Sequence, residues 1–173
     1  MELSQLPKET LIKFIELLSK QFIVIDGLWF TEVEKQYGTA AALEMDTMAW
    51  EKYGAIEATR IKKSLKIEGD GLQALSKSLY FQAWLYAMGF DIKTEEDKVV
   101  LTITDCRPQK ARVRDGRGEF ACKGVGVALF EGFIRAIDPK LKMKCLLCPP
   151  DRHPQDEWCK WEFTLEETTG NEA

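Results

Sequence analysis

The chain has 173 residues, 45% hydrophobic and 30% charged, with a formal net charge of −4. This length suits one domain with its own core, and the composition excludes a largely disordered chain. The acidic balance argues against nucleic-acid binding, and no apolar run reaches the roughly 20 residues of a membrane-spanning helix. The N-terminus lacks the pattern of a signal peptide. We therefore expect a cytoplasmic protein that binds neither nucleic acid nor membrane.

The first half of the chain is predicted to be helical. Apolar residues recur at helical spacing over residues 11–37, and Gly38 suits the end of that helix. Gly27, inside the same stretch, either breaks or softens the helix. A second stripe runs over residues 43–60, and a third predicts a helix over residues 72–89.

The second half of the chain is predicted to contain strands around one further helix. Apolar and polar residues alternate over 98–104, 141–147 and 159–165, and residues 90–93 form the expected hairpin partner of the first of these strands. Helical spacing covers about 122–137. Helices beside antiparallel strands predict an α+β fold, with N-terminal helices packed on an antiparallel sheet of about four strands. We expect one domain, 1–173, made of a helical part (1–89), a sheet plus helix (90–166) and a solvated tail (167–173).

All five cysteines lie in the second half of the chain. If the apolar faces of the last two strands match, Cys145 opposes Cys159 with the Cβ atoms about 5 Å apart. Cys148 follows Cys145 at the C-x-x-C spacing of zinc and iron–sulfur sites. Cys122 begins the predicted helix, whose N-terminus stabilises a thiolate.

These thiols predict a metal site with the ligands Cys122, Cys145, Cys148 and Cys159. Four soft ligands suit tetrahedral zinc, and an iron–sulfur cluster is the alternative cofactor. Two other interpretations stay open: small buried hydrophobic side chains, and a reversible dithiol. Cys106 and His153 are weaker candidates for the same site.

Polar residues on the apolar stripes of the first two helices predict a ligand pocket. The candidate ligand-binding residues are Asp26, Trp29, Asp46, Trp50, Glu57 and Arg60. A buried carboxylate must be paired or bind a ligand, because removing a bare charge from water costs several kcal/mol. The simpler interpretation makes Glu57 and Arg60 an i,i+3 ion pair on the surface. The arginines and lysine of residues 107–117 suit either a solvated basic loop or an anion site.

Two short motifs resemble the 4-vinyl-reductase domain. They are Cys122-Lys-Gly-Val-Gly-Val-Ala-Leu-Phe-Glu-Gly-Phe and the closing Cys145…Cys148…Cys159-Lys-Trp-Glu-Phe. The resemblance covers about residues 90–165. It implies the α+β fold of transport-particle (TRAPP) subunits, with helices against a four-stranded antiparallel sheet. It also implies a ligand-binding module tied to bacteriochlorophyll biosynthesis, hydrocarbon sensing or a cysteine-bound metal.

The first half resembles an uncharacterised bacterial and archaeal cytosolic family, itself distantly similar to 2-aminothiazoline-4-carboxylate hydrolases. The residues that carry this resemblance are Asp26-Gly-Leu-Trp29-Phe and Trp50-Glu-Lys-Tyr-Gly-Ala-Ile-Glu57-Ala-Thr-Arg60. It extends over nearly the whole chain.

Two functions follow as hypotheses. The first is a metal-binding domain that binds or senses a small molecule and forms a homodimer, twofold symmetry being the commonest in small oligomers. The second is an enzyme, a hydrolase or reductase, in which Cys122 or the metal acts with Asp46 or Glu57.

Overall fold

Helices and an antiparallel sheet make up the computed structural model, which describes residues 2–166. The α+β prediction is confirmed. The helices are α1 (Lys8–Leu65), α2 (Gly71–Leu79), α3 (Arg107–Arg114) and α4 (Lys123–Ile137), and the strands are β1 (Gly89–Thr94), β2 (Lys98–Asp105), β3 (Leu141–Leu147) and β4 (Cys159–Leu165). The predicted tail, 167–173, lies outside the described residues.

A single glycine divides α1 into two antiparallel segments. Gly38 has φ 85° and ψ 164°, a conformation that side chains with a Cβ avoid, so the helix predicted to end there does end. We call residues 8–37 the first segment and 39–65 the second segment. Phe22 of the first packs on Trp50 and Tyr53 of the second, with ring centroids 5.8 and 5.3 Å apart. Helical geometry continues through Gly27.

The four strands form one antiparallel sheet in the order β1-β2-β4-β3. Cys145 pairs with Trp161, so the predicted pairing of Cys145 with Cys159 is wrong by two residues. A shift of two residues leaves the same side chains on the same face, and alternation alone therefore cannot exclude it. The register of β4 is set on its other side by β2, where Ile103 pairs with Cys159.

Helix α4 lies between the second segment and the sheet. A Cβ on Gly54 would stand 2.2 Å from the Leu129 carbonyl oxygen, and one on Gly132 would stand 2.3 Å from the Glu51 carbonyl oxygen. The two helix backbones therefore touch where each carries a glycine. On the other side of α4, Phe130 packs on Trp161 with ring centroids 5.0 Å apart.

The third helix is shorter than the sequence predicted, because it ends before residue 89. Helix α2 ends at Leu79, and only a short 3₁₀ turn, Leu85–Ala87, follows before β1. The chain leaves the helix so that the Ala83 N–H can donate to Glu57 Oε1 at 2.6 Å. The basic connection after β2, in contrast, is more ordered than a solvated loop, because α3 occupies most of it.

Candidate functional site

A cavity of about 740 Å³ lies between the first segment, α3 and the chain that follows α3. Ile23, Leu28 and Phe120 supply part of its apolar wall, and Asp26 and Asp46 supply acidic groups. The antiparallel arrangement of the two α1 segments explains why both acids line the cavity. Because the chain reverses at Gly38, Asp26 of the first segment and Asp46 of the second lie on the same side of the helix pair. Sequence analysis anticipated both aspartates, but it missed Phe120 and the whole α3 wall.

Asp26 and Asp46 form a pair of carboxylates beside Trp50. Asp46 is only 4% exposed, and the neighbouring Trp50 indole favours the charged form of both carboxyl groups. Burial raises the pKa of Asp26 to about 6. Burial and the neighbouring Asp26 charge raise the pKa of Asp46 to about 7. At neutral pH the pair is therefore partly protonated, because two adjacent carboxylates in a poorly solvated site do not both ionise readily.

The acid pair has no cation partner among residues 2–166. No lysine, arginine or histidine nitrogen there lies within 4.0 Å of an Asp26 or Asp46 oxygen. Six cations line the cavity, and among the described residues all of them except Arg107 form ion pairs with other carboxylates. Lys110 pairs with Asp105 at 2.8 Å, and Arg112 binds both oxygens of Glu34 at 2.9 and 3.1 Å.

Arg112 fixes α3 against the first segment. Its guanidinium carbon lies 5.9 Å from the ring centroid of Phe30 and 5.3 Å from that of Phe120. The hydrogen bonds from Arg112 hold the pKa of Glu34 below its usual range. This buried ion pair is structural, so the interpretation of Arg112 as part of a solvated loop is wrong.

Three thiols lie close together where α4 begins. Cys122 and Cys148 have sulfur atoms 3.7 Å apart, and Cys159 is near enough to Cys148 to raise its pKa. The topology explains the meeting. Strands β2 and β3 end, and β4 begins, at the same end of the sheet, where α4 also starts. Cysteines that are far apart in the sequence are therefore close together in the fold.

The remaining cysteines flank these three. Cys106 lies near enough to Cys122 and Cys159 for their charges to raise its pKa, although burial is the main cause of that rise. Cys145 lies near Lys123 and Asp151, and burial likewise raises its pKa. The C-x-x-C pair is therefore split, with Cys148 in the cluster and Cys145 at its edge. No group of three or more Cys, His, Asp and Glu side chains in residues 2–166 forms a metal-binding arrangement.

Cys122 is the activated thiol of the cluster. The Sγ atom of Cys122 lies within hydrogen-bonding distance of Cys148 Sγ, and Gln109 Nε2 donates to it at 3.2 Å. The Cys148 bond is the main reason that the pKa of Cys122 is lowered and that of Cys148 is raised. Gln109 is 1% exposed and is fixed by two hydrogen bonds with the backbone of Phe120, of 2.9 and 3.0 Å. Sequence analysis missed Gln109, because a lone glutamine carries no motif.

Four of the six predicted ligand-binding residues do not line the cavity. Trp50 is buried against Phe22 and Tyr53. Glu57 is 6% exposed and accepts hydrogen bonds from Tyr53, Gln82 and Ala83, so its interpretation as a surface ion pair with Arg60 is wrong. Arg60 is exposed. Trp29 is 48% exposed and does not line the cavity.

His153, the reserve metal ligand, contacts an acid and an aromatic ring. Its Nε2 lies 3.2 Å from Glu119 Oε2, and its ring stacks on Trp158 with centroids 4.9 Å apart. A hydrogen bond with the Pro154 carbonyl is the main reason that the pKa of His153 is raised.

A family model of unknown function, DUF6125, matches residues 4–165. The chain belongs to this family. No curated protein and no solved structure matches the chain. The family match covers the cavity and the thiol cluster together, so both lie within the unit that defines the family. None of the described helices is long and apolar enough to cross a membrane.

Proposed function

We propose that this chain is a small-molecule-binding domain whose cavity takes a ligand with a basic nitrogen. The observation that carries the proposal is the buried Asp26–Asp46 pair, which faces the cavity without a cation partner among the described residues. A positively charged ligand group would release the shared proton and satisfy both carboxylates. The apolar wall formed by Ile23, Leu28 and Phe120 would hold the rest of the ligand.

The cavity has the size that such a ligand needs. Its volume of about 740 Å³ falls within the roughly 300–1,000 Å³ of small-molecule sites. Ten of its eighteen lining residues are polar or charged, and such groups fix the orientation of a bound ligand.

Benzamidine and its neutral isostere benzamide test the acid pair. We expect the wild type to bind benzamidine more tightly than benzamide, and Asp46→Asn to remove that difference, since the amidine then meets no charged pair. Isothermal titration calorimetry measures both affinities, and Asp91→Asn, an exposed aspartate on β1, is the control. Equal affinity of the wild type for the two compounds would contradict the proposal.

The thiol cluster is the proposed metal-binding element. In tetrahedral zinc sites with Zn–S near 2.3 Å the sulfur–sulfur edge is about 3.8 Å, and the Cys122–Cys148 separation is 3.7 Å. Cys159 contacts Cys148, and side-chain rotation would bring Cys159 and Cys145 in as the third and fourth ligands. Zinc held there would link α4 to the ends of β3 and β4. The five cysteines are free thiols, which suits a reducing compartment such as the cytoplasm.

Zinc titration of the reduced chain tests this element. We expect one equivalent of zinc per chain, retained in Cys106→Ser and lost in Cys122→Ser and Cys148→Ser. Cobalt substitution should give a thiolate charge-transfer band in the proteins that bind. A wild type without bound metal, or a Cys148→Ser variant with unchanged affinity, would contradict the assignment.

An enzyme is the second candidate, because Cys122 is activated by two donors and lies close enough to Asp46 for that charge to affect its pKa. A nucleophilic Cys122 would react with iodoacetamide in the zinc-loaded protein. A metal ligand would react only after chelation. Peptide mapping after labelling separates the two functions. In this scheme Glu57 has no proton-transfer role, since Tyr53, Gln82 and Ala83 already hold it.

A further inference from the structure

The first segment leaves one apolar face uncovered by the described residues. This face consists of Phe14, Leu17, Leu18, Val24, Ile25 and Leu28. Each of these side chains is between 39% and 63% exposed. Large contiguous apolar patches are uncommon on the surface of monomeric proteins. The largest patch on a typical monomer covers about 300–600 Å² and is often functional.

The face is symmetric about Gln21. Counted from Gln21, the apolar positions lie three, four and seven residues before it and three, four and seven residues after it. In a helix these offsets place side chains on one side, and Gln21 itself is exposed at their centre. A twofold axis that passes through Gln21, perpendicular to the helix, therefore places a second copy antiparallel to the first. The apolar residues before Gln21 in one copy then face the apolar residues after Gln21 in the other. The amide of Gln21 is both donor and acceptor, so it can pair with itself across that axis.

The polar residues of the segment favour a protein partner over a lipid surface. Residues 8–37 carry four lysines and five acidic residues. An amphipathic helix that lies on anionic lipid has a polar face rich in lysine and arginine, and this one does not.

We infer that the face of the first segment binds the same face of a second copy, with the two helices antiparallel about a twofold axis at Gln21. Twofold contacts require a self-complementary patch, which the symmetric spacing provides. The face is about 21 Å long at 1.5 Å per residue. Together with the residues on either side of it, the surface buried in the helix pair approaches the roughly 800 Å² per partner of a stable interface.

The interface adjoins the cavity. Val24 and Leu28 belong to the face and also line the cavity, so the second copy would cover part of its opening. This inference does not depend on the proposed ligand, since it rests only on the exposed face.

Light scattering with size-exclusion chromatography tests the pairing. We expect the wild type to run near 40 kDa, twice the 19.8 kDa of one chain. Leu18→Lys and Ile25→Lys should each weaken the dimer by about 100-fold or more, since each places a charged group against apolar side chains of the second copy. Leu146→Lys, at a side chain 41% exposed on β3, is the matched control and should stay dimeric. Circular dichroism verifies that every variant is folded.

A cysteine placed on the axis tests the orientation. Under mild oxidation Gln21→Cys should form a disulfide that joins the two copies through the introduced thiols, identified by peptide mapping. Phe14→Cys should not, because in the antiparallel pair the two residues 14 are about 21 Å apart along the axis. A monomeric wild type at tens of micromolar would overturn the inference, as would a dimer unaffected by both lysines or cross-linking of Phe14→Cys. A monomer that binds phosphatidylcholine vesicles through this face would also overturn it.

Discussion

Asp46 and Glu57 lie on the same stripe of the second segment and are both buried, but their surroundings differ. Glu57 accepts from a hydroxyl, a side-chain amide and a backbone N–H. Among the described residues, the groups beside Asp46 are the Trp50 indole and the Asp26 carboxylate. Since a buried polar group is costly unless it is satisfied, Glu57 is a structural residue, whereas we expect Asp46 to be satisfied by the proposed ligand.

The acid pair should make the chain less stable as pH rises. The folded pKa values of Asp26 and Asp46, about 6 and about 7, exceed their ordinary value of 3.8. The native state therefore binds more protons than the unfolded state between about pH 4 and 7, and the free energy of unfolding falls as pH rises through that window. For Asp46 alone the loss is on the order of 3 kcal/mol.

Urea unfolding of the wild type and Asp46→Asn, measured from pH 5 to pH 8, checks this expectation. The variant should lose much of the pH dependence and be the more stable protein at pH 8. Asp91→Asn should follow the wild type. Parallel curves for the wild type and Asp46→Asn would show that Asp46 ionises in the fold without penalty.

Residue patterns found the Asp26–Asp46–Trp50 group because helical spacing reports which side chains share a stripe. They did not find Gln82 and Ala83, the two partners of Glu57 that come from the chain after α2. Contacts between elements distant in sequence leave no local pattern, and Gln109 was missed for the same reason.

At the scale of elements, two glycines determine how closely α1 and α4 approach. Gly54 and Gly132 each face a backbone carbonyl of the other helix. Backbone atoms cannot rotate out of the way as a side chain can, so a methyl group at either position must separate the helices. That separation would also loosen the contact of Phe130 with the sheet.

Gly54→Ala and Gly132→Ala should each lower the free energy of unfolding by about 3 kcal/mol or more, toward the upper end of overpacking costs. Gly27→Ala is the control, because nothing lies within 4 Å of its added Cβ. Alanine there should instead raise stability by about 0.5–1 kcal/mol through helix propensity. Urea denaturation measures all three, and a Gly54→Ala variant as stable as the wild type would contradict the close contact.

Element types were predictable where periodicity was strong. The two α1 segments, α4 and the four strands follow their apolar spacing, and Gly38 marks the reversal. Helix α3 is polar and short, so it has no apolar stripe to detect. The β3–β4 register could not be read from alternation, because a shift of two residues preserves it.

For the whole molecule, the order of predicted helices and strands indicated the fold class, whereas the strand order within the sheet needed the structure. The order β1-β2-β4-β3 brings Cys106, Cys122, Cys148 and Cys159 to one end of the sheet, although they span more than fifty positions of the chain. The closeness of these thiols thus depends on the topology, although Cys122, Cys148 and Cys159 were all predicted as members of one site.

The central position of β4 has a consequence for synthesis. Strands β2 and β3 both pair with β4 and not with each other, although β4 is made after both. A nascent chain therefore holds β1–β2 as one hairpin and β3 as an unpaired strand until residue 165 has left the ribosome. Until then the apolar face of α4 has no complete sheet to cover it, so the ribosome-bound chain should depend on chaperones that shield apolar surface.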